Sequence, residues 1–161
     1  MKSQTKADEA WATFASALAT CLPDLHEDEF LIVSYKRANY YVQFAAQGIF
    51  GMRVEASCNS FIEPEAALTD EQYAMMAELG WNRATEDVPE SGHSDDPDGS
   101  PNFFMDLANP IDFKALGELA TNTLRNAYRV LHPGELQYWS SDLEGASIRF
   151  PTLGLKRDLK H

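Results

Sequence analysis

Histidine, cysteine and paired carboxylates are the residue types that most often carry out catalysis or bind metals. The four histidines lie in predicted loops or at chain ends: His26, His93, His132 and His161. No HExxH, HxH or CxxC spacing places two ligands on one element, so we expect no zinc site. Carboxylate pairs such as Asp95 and Asp96 lie in a predicted flexible loop, which cannot hold the fixed geometry that general acid and base catalysis requires.

The segment from Ser94 to Asp106 resembles the start of a calcium-binding loop. Suitable residues fill its first, third, fifth and sixth positions, namely Ser94, Asp96, Asp98 and Gly99. However, Met105 stands where the bidentate glutamate belongs, and no helix is predicted before the loop. We therefore expect no calcium site and no metal of any kind.

Nucleophilic catalysis is not predicted either. Cys21 and Cys58 lie far apart, without redox or metal-ligand spacing and without an evident cationic neighbour, so we expect two small buried hydrophobes that stay reduced. The sequence contains no GxSxG elbow. Gly48 and Gly51 precede a strand pattern instead of a helix, so they form no phosphate-binding loop. We predict that the protein is not an enzyme and uses no cofactor.

Length and charge exclude further classes of protein. The 161 residues, 44% of them hydrophobic, are enough for one domain over residues 1–161 with a core of its own. No run reaches the roughly 20 apolar residues of a membrane span, and the first twenty residues lack a signal-peptide pattern, so we expect a cytoplasmic protein. The net charge of −12 argues against binding to nucleic acid or anionic membranes.

The acidic charge is concentrated in residues 63–112, which contain thirteen acidic residues and a single base, Arg83. Such a segment is either a solvated surface or a patch that attracts basic partners. Within it, residues 82–101 are rich in proline, glycine and acids and poor in large apolar residues, which predicts a mobile acidic loop.

Three helices are predicted from apolar residues spaced three and four apart. The first has Thr5 as a candidate N-cap and ends near Pro23. The second spans roughly residues 70–79 behind the capping-box pair Thr69 and Gln72. The third starts at Asp112 and ends at Pro133 and Gly134, with a stripe formed by Phe113, Leu116, Ala120, Leu124, Ala127 and Leu131.

Strand patterns lie between these helices. Residues 30–36 and 40–47 are rich in β-branched and aromatic residues and predict a hairpin, and residues 52–58 alternate apolar and polar as a third strand. Residues 102–108 form a fourth. We therefore predict an α+β fold in which helices pack an antiparallel β-meander, in the order α-β-β-β-α-β-α. Residues 135–139 could add a short strand, and residues 140–161 form a C-terminal tail with a possible C-terminal strand.

Short motifs on these elements resemble a known family. They are Tyr41-Val42-Gln43-Phe44, Glu55 with Ser57 and Asn59, Leu79-Gly80-Trp81, Asn102-Phe103-Phe104, Leu119-Ala120, Thr123-Leu124-Arg125, and Pro133 with Glu135-Leu136. Over residues 8–138 the chain is similar to the superfamily of type III secretion chaperone-like and YbjN-like domains, particularly its actinobacterial peptide-binding chaperone branch. The resemblance implies an antiparallel sheet packed by helices, a homodimer, and a surface that accepts an extended segment of a client protein. It brings no catalytic residues.

A client-holding domain must offer apolar pockets or an open sheet edge to an extended chain. Alternation on strands two and three leaves one face to Tyr41, Gln43, Arg53 and Glu55, which are candidate peptide-binding residues with Tyr41 preferred. The alternative is that this face binds no peptide and is solvated, or is covered by a helix of the same subunit.

Two tryptophans, Trp81 and Trp139, are additional candidates for peptide contact. A tryptophan that directly follows a helix-ending glycine can instead pack back on its own helix.

The tail carries four apolar residues before three bases: Ile148, Phe150, Leu153 and Leu155, then Lys156, Arg157 and Lys160. It could occupy the client site of its own molecule, or form an ordinary extra strand or a disordered end. Two hypotheses of function follow from the sequence. The first is a chaperone or adaptor that holds a client polypeptide, and the alternative is a structural homo-oligomerisation module without a client.

Overall fold

The structure is a computed structural model that describes residues 2–85 and 99–159. Its helices are α1 (Lys2–Cys21), α2 (Asp70–Glu78) and α3 (Phe113–Asn122), the last followed by one π-helical stretch (Thr123–Ala127). Its strands are β1 (Phe30–Tyr35), β2 (Tyr40–Ala46), β3 (Met52–Ala56), β4 (Phe103–Leu107), β5 (Gln137–Ser141) and β6 (Lys156–Arg157). The predicted α+β order is confirmed, and β5 and β6 supply the two additional strands.

The strands form one six-stranded sheet in the order β4-β3-β2-β1-β5-β6. All pairs are antiparallel except β5 with β6, which run parallel. The predicted meander β1-β2-β3 extends to β4 on one side, whereas β5 inserts beside β1 on the other. The strand after the third helix therefore lies at the opposite end of the sheet from β4.

The helices cover one face of this sheet. Trp11, Phe14 and Leu18 of α1 share a single core cluster with the inward side chains of the strands, such as Val33 and Phe44. Helices α1 and α3 pack closely because Gly117 has no side chain: a Cβ built there would lie 2.5 Å from the carbonyl oxygen of Ala15. The core is thus a single layer between sheet and helices.

The helix starts follow local hydrogen bonding, with one exception. At α2 the amide of Gln72 donates to the Thr69 side chain and the amide of Thr69 donates to the Gln72 side chain, which confirms the capping box. At α3 the Ala115 amide donates to Asp112 Oδ1. The N-cap predicted at Thr5 is wrong, because no helix-breaking residue precedes it and α1 already begins at Lys2.

The end of the third helix also departs from the prediction. The chain widens into a π-helical stretch, in which the Tyr128 amide donates to the Thr123 carbonyl, and Arg129 then adopts a left-handed φ of 61°. The predicted apolar stripe therefore stops at Ala127. Leu131, expected on that stripe, lies beyond the helix and is 78% exposed.

The C-terminal tail packs against the core and adds a short strand to the sheet. In the tail, Phe150 and Leu153 are buried in the core and residues 156–157 form β6. The mobile acidic loop predicted over residues 82–101 falls mainly on residues 86–98, which lie outside the described residues.

Within the described ranges, no helix has the length and hydropathy to cross a membrane.

Candidate functional site

The face of the sheet opposite the helices is not covered by any helix in the described part of the chain, and we call it the open face. The strand register aligns five of its residues in one row, in the order Phe104, Glu55, Gln43, Ile32 and Trp139. All five are partly buried. The alternation predicted for β2 and β3 therefore places Gln43 and Glu55 on a continuous surface that reaches β5.

Tyr41 lies on the same face and is fixed at both ends. Its hydroxyl donates to Asn102 Oδ1 at 3.2 Å, and its amide donates to the Ser57 hydroxyl at 3.0 Å. Burial raises the pKa of Tyr41 to about 12, and the nearby Glu55 carboxylate adds to the rise while the Asn102 hydrogen bond opposes it. The phenol is therefore a protonated, oriented group at neutral pH.

Arg53 and Glu55 hold the chain that enters β4. The Arg53 guanidinium donates to the Gly99 carbonyl at 2.9 Å, pairs with Asp106 at 3.1 Å and lies 4.8 Å from the centre of the Phe104 ring. Glu55 accepts a hydrogen bond of 2.7 Å from the Ser100 hydroxyl. Both predicted site residues are thus engaged within the fold at one end of the open face.

A pocket of about 280 Å³ lies at the other end of the open face. Eight residues line it: Ile32, Ser34, Lys36, Asn39, Tyr41, Gln43, Trp139 and Asp158. Three of them, Tyr41, Gln43 and Trp139, are predicted site residues. Its volume suits one large apolar side chain, and Ile32 and Trp139 supply apolar surface to receive it.

An ion pair closes one end of this pocket. Lys36 Nζ lies 2.8 Å from Asp158 Oδ2, and the Asp158 side chain is only 5% exposed while that of Lys36 is 45% exposed. The amide of Asp158 also donates to the Tyr138 carbonyl at 2.7 Å. The C-terminal tail therefore contributes a charged wall to a site built by β1, β2 and β5.

Comparison with known proteins gives one family. The family model described as T3SS (YopN, CesT) and YbjN peptide-binding chaperone 3, abbreviated TY-Chap3, matches residues 4–142. The chain belongs to the TY-Chap3 family. The resemblance seen in the sequence motifs is thereby confirmed, as is the α+β fold that it implied. No curated protein and no solved structure shows a significant match.

The TY-Chap3 match covers α1 through β5 and ends before β6. The pocket therefore combines residues of the matched range, such as Ile32 and Trp139, with Asp158 from outside it. Ile32 and Lys36 could have been found from the period-two pattern of residues 30–36, which places them on the same face as Gln43 once the hairpin is assumed. No sequence signal connects Asp158 to that face.

Trp81 does not lie on the open face of this TY-Chap3 domain. Its side chain is 4% exposed in the core, and its indole nitrogen donates to Thr123 Oγ1 at 2.9 Å. Gly80, with φ of 103°, turns the chain so that the tryptophan packs back toward the helices. Its candidate role in peptide contact is therefore withdrawn, whereas Trp139 remains on the pocket wall.

A second cavity of about 840 Å³ lies at the β1–β2 turn on the helix side of the sheet. Tyr40 stacks between Tyr35 and Tyr128, with ring centres 6.0 and 4.8 Å away. Burial raises the pKa of both Tyr40 and Tyr128.

The two cysteines lie in buried surroundings. Burial raises the pKa of the Cys21 thiol, while its hydrogen bond with the Thr152 hydroxyl opposes the rise. Cys58 is also a buried free thiol. Within residues 2–85 and 99–159, no cluster of three histidine, cysteine or acidic side chains is placed to hold a metal ion.

Proposed function

We propose that this protein holds an extended segment of a client polypeptide on the open face, without catalysing a reaction. The observation that carries the proposal is the pocket between Ile32, Tyr41 and Trp139, on a sheet face that no described helix covers. The family description, a peptide-binding chaperone, supports the same role. Two buried free cysteines are consistent with a reducing compartment, so we place this activity in the cytoplasm.

The pocket suggests how a client would be bound. One large apolar side chain of the client enters between Ile32 and Trp139, where full burial contributes about 2 kcal/mol. The side-chain amide of Gln43, for which no hydrogen bond to another described residue is found, lies at the pocket and can bond a main-chain group of the client. Arg53 and Glu55 support this site indirectly, because they fix the approach to β4.

The proposal is tested by fluorescence polarisation with a panel of labelled extended peptides that vary in their apolar residues. Trp139→Ala removes one wall of the pocket, and we expect the affinity of the best peptide to fall about tenfold or more. Leu131→Ala is the matched control, because Leu131 is a large exposed side chain outside the pocket. Failure of every peptide to bind, or equal affinity for Trp139→Ala and wild type, would refute a client site here.

A structural homo-oligomerisation module is the second candidate function. Ile49 and Phe50 are 85% and 74% exposed on the turn between β2 and β3. That turn lies close to the end of β4, because a Cβ on Gly51 would lie 1.8 Å from the Leu107 carbonyl oxygen. Two adjacent large apolar side chains exposed on one turn favour a contact between subunits, which also agrees with the expected homodimer.

Sedimentation of wild type and of the double variant Ile49→Ser, Phe50→Ser separates the two functions. If the protein is an oligomer that the double variant dissociates, and no peptide binds either form, the oligomerisation module is supported. Retained peptide affinity in the dissociated variant supports the client-holding role.

A further inference from the structure

The outer edge of β5 is occupied by the chain's own tail. The Ile148 amide donates to the Ser140 carbonyl at 2.8 Å, and the Asp158 amide donates to the Tyr138 carbonyl at 2.7 Å. Tail residues 156 and 157, which lie between these two donor residues in the chain, form β6 and pair in parallel with Gln137 and Tyr138. A sheet edge is a ready template for an added strand, and here the tail fills that position.

The tail has a firmly packed part and a weakly held part. Phe150 and Leu153 are 6% and 3% exposed in the core. Gly154 then adopts a φ of 74°, in open space where a Cβ would contact nothing within 4 Å. Beyond it, β6 has only two residues in the less stable parallel arrangement, and Leu159 is 76% exposed. Leu155 is half-buried against the core and Asp158 pairs with Lys36, so a small number of contacts holds residues 155–159, and Gly154 is the point at which they can separate while Phe150 and Leu153 stay in place.

The same segment also reaches the proposed client pocket. Asp158 lies on the pocket wall beside Trp139 and pairs with Lys36 at 2.8 Å. A client strand added to β5 in place of β6 would bring its own side chain to this position. Removal of Asp158 would free the Lys36 ammonium, so a carboxylate that the client places at the same position can pair with it.

We propose that the edge of β5 is the strand-addition site for the client, and that residues 155–159, Leu-Lys-Arg-Asp-Leu, occupy it as a built-in substitute for that client. The client segment is accordingly extended, pairs in parallel with β5, and places a carboxylate against Lys36. Basic residues flank that carboxylate, as Lys156 and Arg157 do in the tail, which suits a protein of net charge −12. This inference rests on the client-holding function proposed above.

The test uses the full-length chain and a labelled peptide with the sequence of residues 154–159. Asp158→Asn weakens the tail contact, so a larger fraction of molecules has an open edge. We expect the peptide to bind this variant about fivefold more tightly than wild type, because apparent affinity scales with the competent fraction. Glu144→Gln is the control: it makes the same charge change at an exposed tail residue outside the pocket and should leave the affinity unchanged.

Two peptide variants test the role of Lys36. Replacing the peptide's Asp by Asn should weaken its binding to the Asp158→Asn protein. Combining Lys36→Glu with Asp158→Asn should reverse the preference, so that a peptide with Lys in place of Asp binds better than the original. Equal binding of all peptides would overturn the assignment of Lys36, and equal affinity of Asp158→Asn and wild type would overturn the assignment of the tail.

Amide hydrogen exchange of the wild type gives an independent measurement that needs no variant. The amide of Asp158 should exchange through local opening, well before that of Val33 in the central strand β1. Equally slow exchange at both residues would mean that the tail never opens separately, and the inference would fail. If Trp139→Ala abolishes binding of panel peptides while Asp158→Asn has no effect, the client-holding function stands and only the role of the tail is lost.

Discussion

Ile32 lies directly opposite Trp139 in the antiparallel register of β1 and β5, and both side chains line the pocket on the open face. Cross-strand neighbours of this kind lie within contact distance of each other, so a group bound in the pocket touches both. The pair connects the N-terminal meander to a strand that follows the last helix.

This pair predicts a measurable coupling. If one client side chain contacts both residues, the losses of affinity in Ile32→Ala and Trp139→Ala will not add in the double variant. We expect a coupling free energy of about 0.5–2 kcal/mol from a double-mutant cycle of peptide dissociation constants. Additive losses would place the two side chains in separate contacts. The pair Ile32→Ala and Leu131→Ala, which shares no cavity, is the control and should be additive.

Trp81 should matter for stability and not for client binding. Trp81→Phe removes the donor to Thr123 Oγ1 and part of a buried ring system. We expect the free energy of unfolding to fall by about 1–3 kcal/mol in urea titrations, with peptide affinity unchanged. Thr123→Val removes the other partner and serves as the comparison. A large loss of peptide affinity in a folded Trp81→Phe protein would contradict this prediction and indicate that Trp81 contributes to client binding.

Tyr41 predicts a loss of stability at alkaline pH. Its pKa of about 12 in the folded protein exceeds the ordinary value of 10.0, so folding favours the protonated phenol. This contribution is fully present below pH 10 and is lost as the pH rises through 12; the pKa difference corresponds to about 3 kcal/mol. Urea titrations of wild type over this range should show falling stability, and Tyr41→Phe should show a shallower fall. Tyr40 and Tyr128, whose pKa values burial also raises, contribute in the same direction, so part of the slope should remain in Tyr41→Phe.

Gly51 should tolerate no side chain. Its φ is 97°, and an added Cβ would overlap the Leu107 carbonyl oxygen at 1.8 Å. We expect Gly51→Ala to lower the free energy of unfolding by more than about 2 kcal/mol, since both strain and overlap oppose it. Gly145→Ala is the control, with φ of 88° but no atom within 4 Å of the added Cβ, and should cost about 1 kcal/mol. Similar melting of the two variants would contradict the close approach of this turn to the end of β4.

Features that depend on near neighbours were predictable. The capping box of Thr69 and Gln72 needs only residues three apart, and the inward placement of Val54 and Ala56 needs only alternation along one strand. For the same reason Tyr41 and Gln43 could be assigned to one face from β2 alone. For Trp81 the sequence left two placements open, contact with a peptide or packing back toward the helices, and the direction in which Gly80 turns the chain decided for the second.

The sequence by itself thus determined the kinds of elements, their order and the two faces of each strand, since these follow from local backbone geometry and hydrophobic periodicity. Tertiary structure alone decided that β5 lies beside β1, that Ile32 meets Trp139, and that Asp158 reaches Lys36. These contacts join segments far apart in the chain, and they arise from burying one shared core between sheet and helices. A local pattern carries no information about which distant segment will complete that core.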